Sequence, residues 1–300
     1  MELVNKWLER PFEREEYNEL VKNLETPNPH LEVSECALSL GLDDLFQISS
    51  IKLNEAESLV LELITMRNEG NTDKMFENIR KALELVREKN SRDLVLEGRL
   101  RMELGLIKIQ TKSEEDPEID FEWALKRLSS VSENSRLHGL SIINKAAYHE
   151  HVDELLMALH HYGEIPLNGK FPLEIVGFSR IGAARILVQM DNITDACRHL
   201  YNAHNLFKQS ENYELSWHSG FQFLTIGAPY VDISAERMNV QIVNAKPREV
   251  GDDKPEVKIH PSDLKDIALN LKDSNEIFQN VDDSIKDFVN KIIENTELFN

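Results

Sequence analysis

Residues 71–90 and 192–211 echo one another without a gap, and this limits the folds open to the chain more than any other feature. NTDKMFENIRKALELVREKN lies over NITDACRHLYNAHNLFKQSE, with Asn71 over Asn192, Ile79 over Leu200, Ala82 over Ala203 and Leu85 over Leu206. The separation is 121 residues, about three periods of 40, which suits an array of helical repeats. Each copy reads as the second helix of a hairpin. In the later hairpin, Ile181, Ala184, Leu187 and Val188 share one face of a 3.6-residue helix that stops at Asp191-Asn192. Thr194 is the expected cap of the following helix, with Asp195 in its first turn, and Ala196, Leu200, Ala203 and Phe207 form its inner face. Small residues at Ala183, Ala184, Ala196 and Ala203 let two helices approach closely.

The earlier hairpin has the same grammar. Asn54 followed by Glu57 is a capping-box start, and the helix it opens runs through Leu59, Leu63 and Met66 to Gly70. Thr72-Asp73 then caps a helix with Met75, Phe76, Ile79, Ala82, Leu83 and Val86 inside. Between the copies lie weaker units. Leu94 to Ile109 carries Leu96, Leu100, Leu104 and Ile107 in register. Asp116-Pro117 opens a helix expected to bury Phe121, Ala124, Leu125, Leu128 and Val131, and residues 137–148 and 151–162 form a further pair. Residues 217–226 make one more helix. Upstream, two short amphipathic pieces broken at Pro11 offer Trp7, Leu8, Phe12, Tyr17, Leu20, Val21 and Leu24 to a core. Leu31 to Leu40 is a helix closed by Gly41 in the left-handed cap position, and residues 42–51 continue as a helical turn or two.

Glycine (12) and proline (10) are sparse in the 300 residues, and most prolines stand between periodic segments, which favours an all-α chain. A net charge of −19 excludes nucleic acid as the expected partner, since phosphate binding needs cationic surface. Cys36 and Cys197 are too few and too far apart for a disulfide framework. The N-terminus has acids where a secretory signal is apolar, and no stretch approaches the ~20 apolar residues of a membrane span. A location in the cytoplasm, with no membrane partner, is the expectation.

Catalytic signals are few. Tyr148-His-Glu-His-Val-Asp-Glu154, with His160 and His161, is the densest titratable stretch. His149 and His151 are two apart and point about 200° away from each other on a helix, so the only convergent metal candidates are His149 with Asp153 and Asp153 with His160. His199, His204 and His218 fall beside the apolar stripe and read as solvated or capping residues. Cys197, two residues into a helix, is either a reactive thiol or a small packing residue. No G-x-S-x-G elbow and no phosphate-binding glycine loop occurs, and no cofactor is expected.

Arg180-x-x-Ala183-Ala184-x-x-Leu187 followed by Ala196-x-x-x-Leu200-x-x-Ala203 resembles the tetratricopeptide repeat. Leu59-x-x-Glu62-Leu63-x-x-Met66 with Met75, Ile79 and Ala82 is similar, as is Trp217-x-x-Gly220-Phe221-x-x-Leu224. The resemblance is divergent and covers residues 54–226. It implies an α-solenoid of antiparallel helix pairs that binds a protein or peptide on a concave face built from first helices. By that resemblance the ligand-facing positions are Arg99, Arg101, Asn144, Lys145, Arg180, Arg185 and Gln189, a set suited to an acidic or carboxylate-ended ligand unless the cations only balance neighbouring acids.

The expected division is an N-terminal helical cap (1–53), the repeat domain (54–238), a linker or small hairpin (239–261) and a C-terminal helix or helical hairpin (262–300). In the linker, Val240-Gln-Ile-Val243 and Val257-Lys-Ile259 alternate with period two and either pair or form a tether, and residues 231–238 are expected to be a short helix. Leu264, Ile267, Leu271, Ser274, Phe278, Val281, Ile285, Phe288 and Ile292 form a 3,4-spaced seam. It serves a coiled coil with a partner or a second copy of the chain, or docks within the chain after a break at Asp273-Ser-Asn275. The expected function is a non-catalytic scaffold or adaptor. The alternatives are a metal-binding all-α enzyme using residues 149–161 and a fixed assembly or regulatory subunit.

Overall fold

A computed structural model describes residues 14–24, 26–88, 92–238 and 256–297. Among these residues the chain is all-α, and its only β pairing is an isolated parallel bridge between Val231 and Ile259. The chain separates into two compact units, Met1–Lys145 and Ala146–Asn300.

The first unit holds α1 (Arg14–Asn23), α2 (Pro29–Leu40), α3 (Asp43–Ser50), α4 (Glu55–Glu69), α5 (Thr72–Val86), α6 (Leu94–Gln110) and α7 (Glu118–Val131). It also takes in most of α8 (Arg136–His151). Successive helices pack in pairs, α4 on α5 and α6 on α7, with α5 also against α6. The helix ends follow local chemistry. Asn54 and Glu57 form a reciprocal capping box, and Gly70 closes α4 at φ 69°, where a side chain would be strained. Asn71, one residue before the expected cap, is the true cap of α5, its side chain accepting from the Lys74 N–H. The main core joins Leu59, Val60 and Leu63 to Ile79, Ala82, Leu83, Leu96, Leu100 and Ile107. A smaller core under α1–α3 contains Tyr17, with Leu20, Val21 and Leu24 packed on it. Trp7, Leu8 and Phe12 lie outside the described residues.

The second unit holds the end of α8, then α9 (Leu155–Gly163), α10 (Leu173–Gln189), α11 (Ile193–Gln209), α12 (Tyr213–Gly227) and a 3-10 turn (Ala228–Tyr230). After residues 231–260 come α13 (Pro261–Asp273), α14 (Asn275–Asn280) and α15 (Asp283–Glu297). α10 packs on α11, α11 on α12, and α12 on α13. The echo is structural as well as textual. Met75, Ile79, Ala82, Leu83 and Val86 of α5 are buried, and so are their counterparts Ala196, Leu200, Ala203, His204 and Phe207 of α11. α11 starts after Asn192 rather than at Thr194, which lies inside the helix.

Three expectations are corrected. Residues 231–238 are turns and bends, not a helix, because they are tied to the start of α13. Asp263, fully buried, accepts from Arg237 Nε (2.6 Å) and the Met238 N–H (2.8 Å). Ile259 pairs with Val231, its N–H donating to the Tyr230 carbonyl and its carbonyl accepting from Asp232, while Val240–Val243 lie outside the described residues. Val131, expected inside, is 42% exposed at the end of α7.

The 3,4-spaced seam packs inside the second unit. Leu264, Ile267, Leu271, Phe278 and Ile292 are buried, and Val281, Ile285 and Phe288 pack against them. Ser274 leaves helical geometry (φ −76°, ψ 64°), ending α13 so that α15 folds against it. Trp217 Nε1 donates to the Leu271 carbonyl (3.3 Å), and Phe221 meets Phe288 edge-on at 6.0 Å.

Ala82 and Ala203 are each fully buried at a helix–helix contact. Ala82→Leu and Ala203→Leu are each expected to cost ~1–3 kcal/mol, because the added methylenes have no space to enter. A denaturant titration measures this, and a neutral result at either site would remove that alanine from the contact.

Candidate functional site

The seven positions implied by the resemblance do not share one environment. In the first unit Arg99 reaches back from α6 to α2, Nη1 donating to Glu35 Oε2 at 2.9 Å. Arg101 Nη1 donates to Asp120 Oδ1 at 2.5 Å. Asp120 is 1% exposed, and its other oxygen accepts from Lys108 at 2.7 Å. Lys145 is buried, its Nζ donating to Glu118 Oε1 at 2.8 Å, while Asn144 is half-buried. In the second unit Arg185 Nε donates to Glu150 Oε1 at 2.6 Å, and Gln189 Nε2 donates to the same oxygen at 3.4 Å. Four of the five cations therefore balance acids of their own unit.

Arg180 is the exception, and its expected exposure is corrected. It is 9% exposed, and its Nη2 donates to the carbonyls of Tyr162 (3.1 Å) and Ile165 (2.5 Å) and to Ser179 Oγ (3.1 Å). No carboxylate pairs with it among the described residues. The guanidinium instead closes the C-terminal end of α9, where unsatisfied carbonyls carry the negative end of the helix dipole. Burial holds its pKa below the usual arginine range. The signal was present in the sequence. Arg180 stands three, four and seven residues before Ala183, Ala184 and Leu187, which places it on the buried stripe.

The histidine stretch resolves differently from the expected metal spacing. α8 ends at His151, and Asp153 sits in the left-handed region (φ 64°) between helices, exposed. His149 and Asp153 therefore do not share a helical face. His149 is 4% exposed and stacks on His161 of α9, with ring centroids 5.1 Å apart. Each Nδ1 meets a carboxylate, His149 with Glu154 at 2.7 Å and His161 with Glu164 at 2.9 Å, and His160 Nε2 lies 3.6 Å from Glu164. Among the described residues no group of three or more His, Cys, Asp or Glu is placed to hold a metal ion. Periodicity within one helix could not reveal a His149–His161 pair, because the two rings come from different helices.

Cys197 is fully buried, and burial pushes its thiol up to about 12, so it packs rather than reacts at neutral pH. His218 is exposed, as expected, but His204 is 2% exposed and bonded through Nδ1 to the Ser216 carbonyl at 2.8 Å. It lies four residues after Leu200 and so on the same stripe. Burial lowers the pKa of His204. Burial also lowers His199 to about 4, with the Arg180 cation adding to the effect and Asp195 opposing it.

Two predictions follow from these burials. Replacing Arg180 by Gln leaves buried carbonyls unsatisfied and is expected to cost about 2–4 kcal/mol, whereas Arg185→Gln, at a half-exposed ion pair, should cost under about 1 kcal/mol. Chemical denaturation of the two variants measures both. His199 is held neutral in the fold, so its folded pKa lies below the ordinary 6.5. Its contribution is complete above about pH 6.5 and is lost as the pH falls toward about 4, on the order of 3 kcal/mol in all. The stability gap between the natural chain and His199→Gln should narrow across that window, and a flat gap would show that His199 titrates normally.

No protein-family model and no curated protein matches the chain. Among solved structures it is similar to the crystal structure of BtubC (BKLC) from P. vanneervenii, at 13% identity over 94% of this chain and 89% of that one. The TM-score of that comparison is 0.34, too low to carry an argument about fold or function.

Proposed function

We propose that the chain is a non-catalytic scaffold, a divergent tetratricopeptide-like solenoid of antiparallel helix pairs. In this reading it holds a peptide or helix of another protein on the layer formed by its first helices. The observation that carries it is a regular link between alternate helices. Arg67 of α4 pairs with Glu103 of α6, 36 residues on, and Glu150 of α8 pairs with Arg185 of α10, 35 residues on. Alternate helices start at Glu55, Leu94, Arg136, Leu173 and Tyr213, so helix pairs recur about every 40 residues, the period of the sequence echo and longer than the ~34 of a regular tetratricopeptide unit, and the linked first helices lie beside one another within each unit.

On α10, the first helix of its pair in the second unit, Arg180 is buried and Arg185 is already engaged by Glu150, which leaves the amide of exposed Gln189 as the accessible polar contact. A photo-crosslinking residue placed at Gln189 of the full chain should capture a partner protein. The same residue at Lys208, on the outside of the second helix α11, should not capture it. Equal capture from both positions, or capture from Lys208 alone, would place the ligand off the first-helix layer.

A further inference from the structure

α7 buries Asp120, Phe121, Ala124 and Leu128 and turns a second row of residues outward. Ile119, Trp123, Arg127 and Val131 follow one another at intervals of four, the spacing of a surface ridge that packs into the groove of another helix. Ile119 is 62% exposed and Val131 is 42% exposed, while Trp123 and Arg127 between them are half-buried. The Trp123 ring is faced by two guanidiniums, Arg101 at 5.2 Å and Arg127 at 5.4 Å. Arg101 spends Nη1 on Asp120, and its Nε is buried with no hydrogen-bond partner. Arg127 has no carboxylate partner among the described residues, although acids outnumber bases 53 to 34 in the chain. Exposed Glu122 and Lys126 flank the row and form a polar rim.

We propose that this ridge is a docking surface for an amphipathic helix of another protein, with an Asp or Glu at its centre and a large apolar residue one turn to either side. The charge sets the occupant. An acid opposite Arg127 would neutralise a guanidinium that Trp123 already holds in place, and tryptophan and arginine are the side chains that most often anchor interfaces. Ile119 and Val131 at the two ends would meet the flanking apolar residues. The inference rests on the scaffold reading in taking a protein ligand, but it uses the outside of α7 rather than the first-helix layer.

The test is a phage-displayed library of helix-forming peptides, selected on the full-length chain at low salt. Selected peptides should carry an acid four residues from an apolar residue on each side. Their affinity should fall at least about ten-fold on Arg127→Glu and on Ile119→Ser, two surface changes expected to leave the melting temperature unchanged. Substituting lysine for the peptide's acid should abolish binding. Peptides indifferent to both variants would overturn the ridge and leave the scaffold reading standing. A library that yields no binder would count against both. Should light scattering show a dimer that Ile119→Ser dissociates, the ridge joins two copies of this chain, and a foreign helix is overturned.

Discussion

The helix pairs are held at a distance set by a small residue on one side and a large ring on the other. A Cβ on Gly105 would come within 2.7 Å of Phe121, and one on Gly177 within 2.7 Å of Phe207. A Cβ on Gly182 would come closer still to the ring of Tyr162, which is 1% exposed. Close-packed interiors do not absorb such intrusions, so these contacts fix both the spacing and the rotation of the helices that make them. The same device recurs in the last pair, where Gly220 of α12 takes in His204 from α11 and Leu271 from α13.

Helices this close leave little room for water between them, so a polar group caught inside is costly unless it finds a partner. Asp120 is shared by Arg101 and Lys108, Lys145 reaches Glu118, and Arg180 is spent on the carbonyls that end α9. The consequence for function is direct. Cations that would have suited an acidic ligand are largely consumed in holding neighbouring helices, so recognition falls to groups outside that network. Arg127, facing the Trp123 ring and without an acid partner among the described residues, is such a group.

The C-terminal segment shows how a local break decides between assembly and docking. A 3,4-spaced seam running straight would present one apolar edge to a partner helix. Ser274 and the extended residue Val281 interrupt it, and the segments fold against α12 and each other instead. Its apolar edge is thereby consumed within its own unit, and α13 serves as the companion of α12, with residues 228–260 inserted between the two.

Much of this architecture was legible in the sequence because it depends on local rules. Helix periodicity, the Asn54–Glu57 box, left-handed Gly41 and Gly70, and the register of Ile79 with Leu200 and Ala82 with Ala203 are all set within a few residues. Caps were misplaced by one or two residues where Asn71 and Asn192 precede the threonines. The site was less legible. Stripe position alone buries Arg180 and His204, yet their charge and polarity argued for exposure until the carbonyls that receive them were in place. The pairing of His149 with His161, of Arg99 with Glu35 and of Ile259 with Val231 joins residues from separate elements, and no periodicity within one element encodes it. The sequence by itself determined which segments are helices and which of their faces turn inward, because those follow from one turn of backbone and its side chains. Only the tertiary structure decided which charges are free, since that depends on what each face meets.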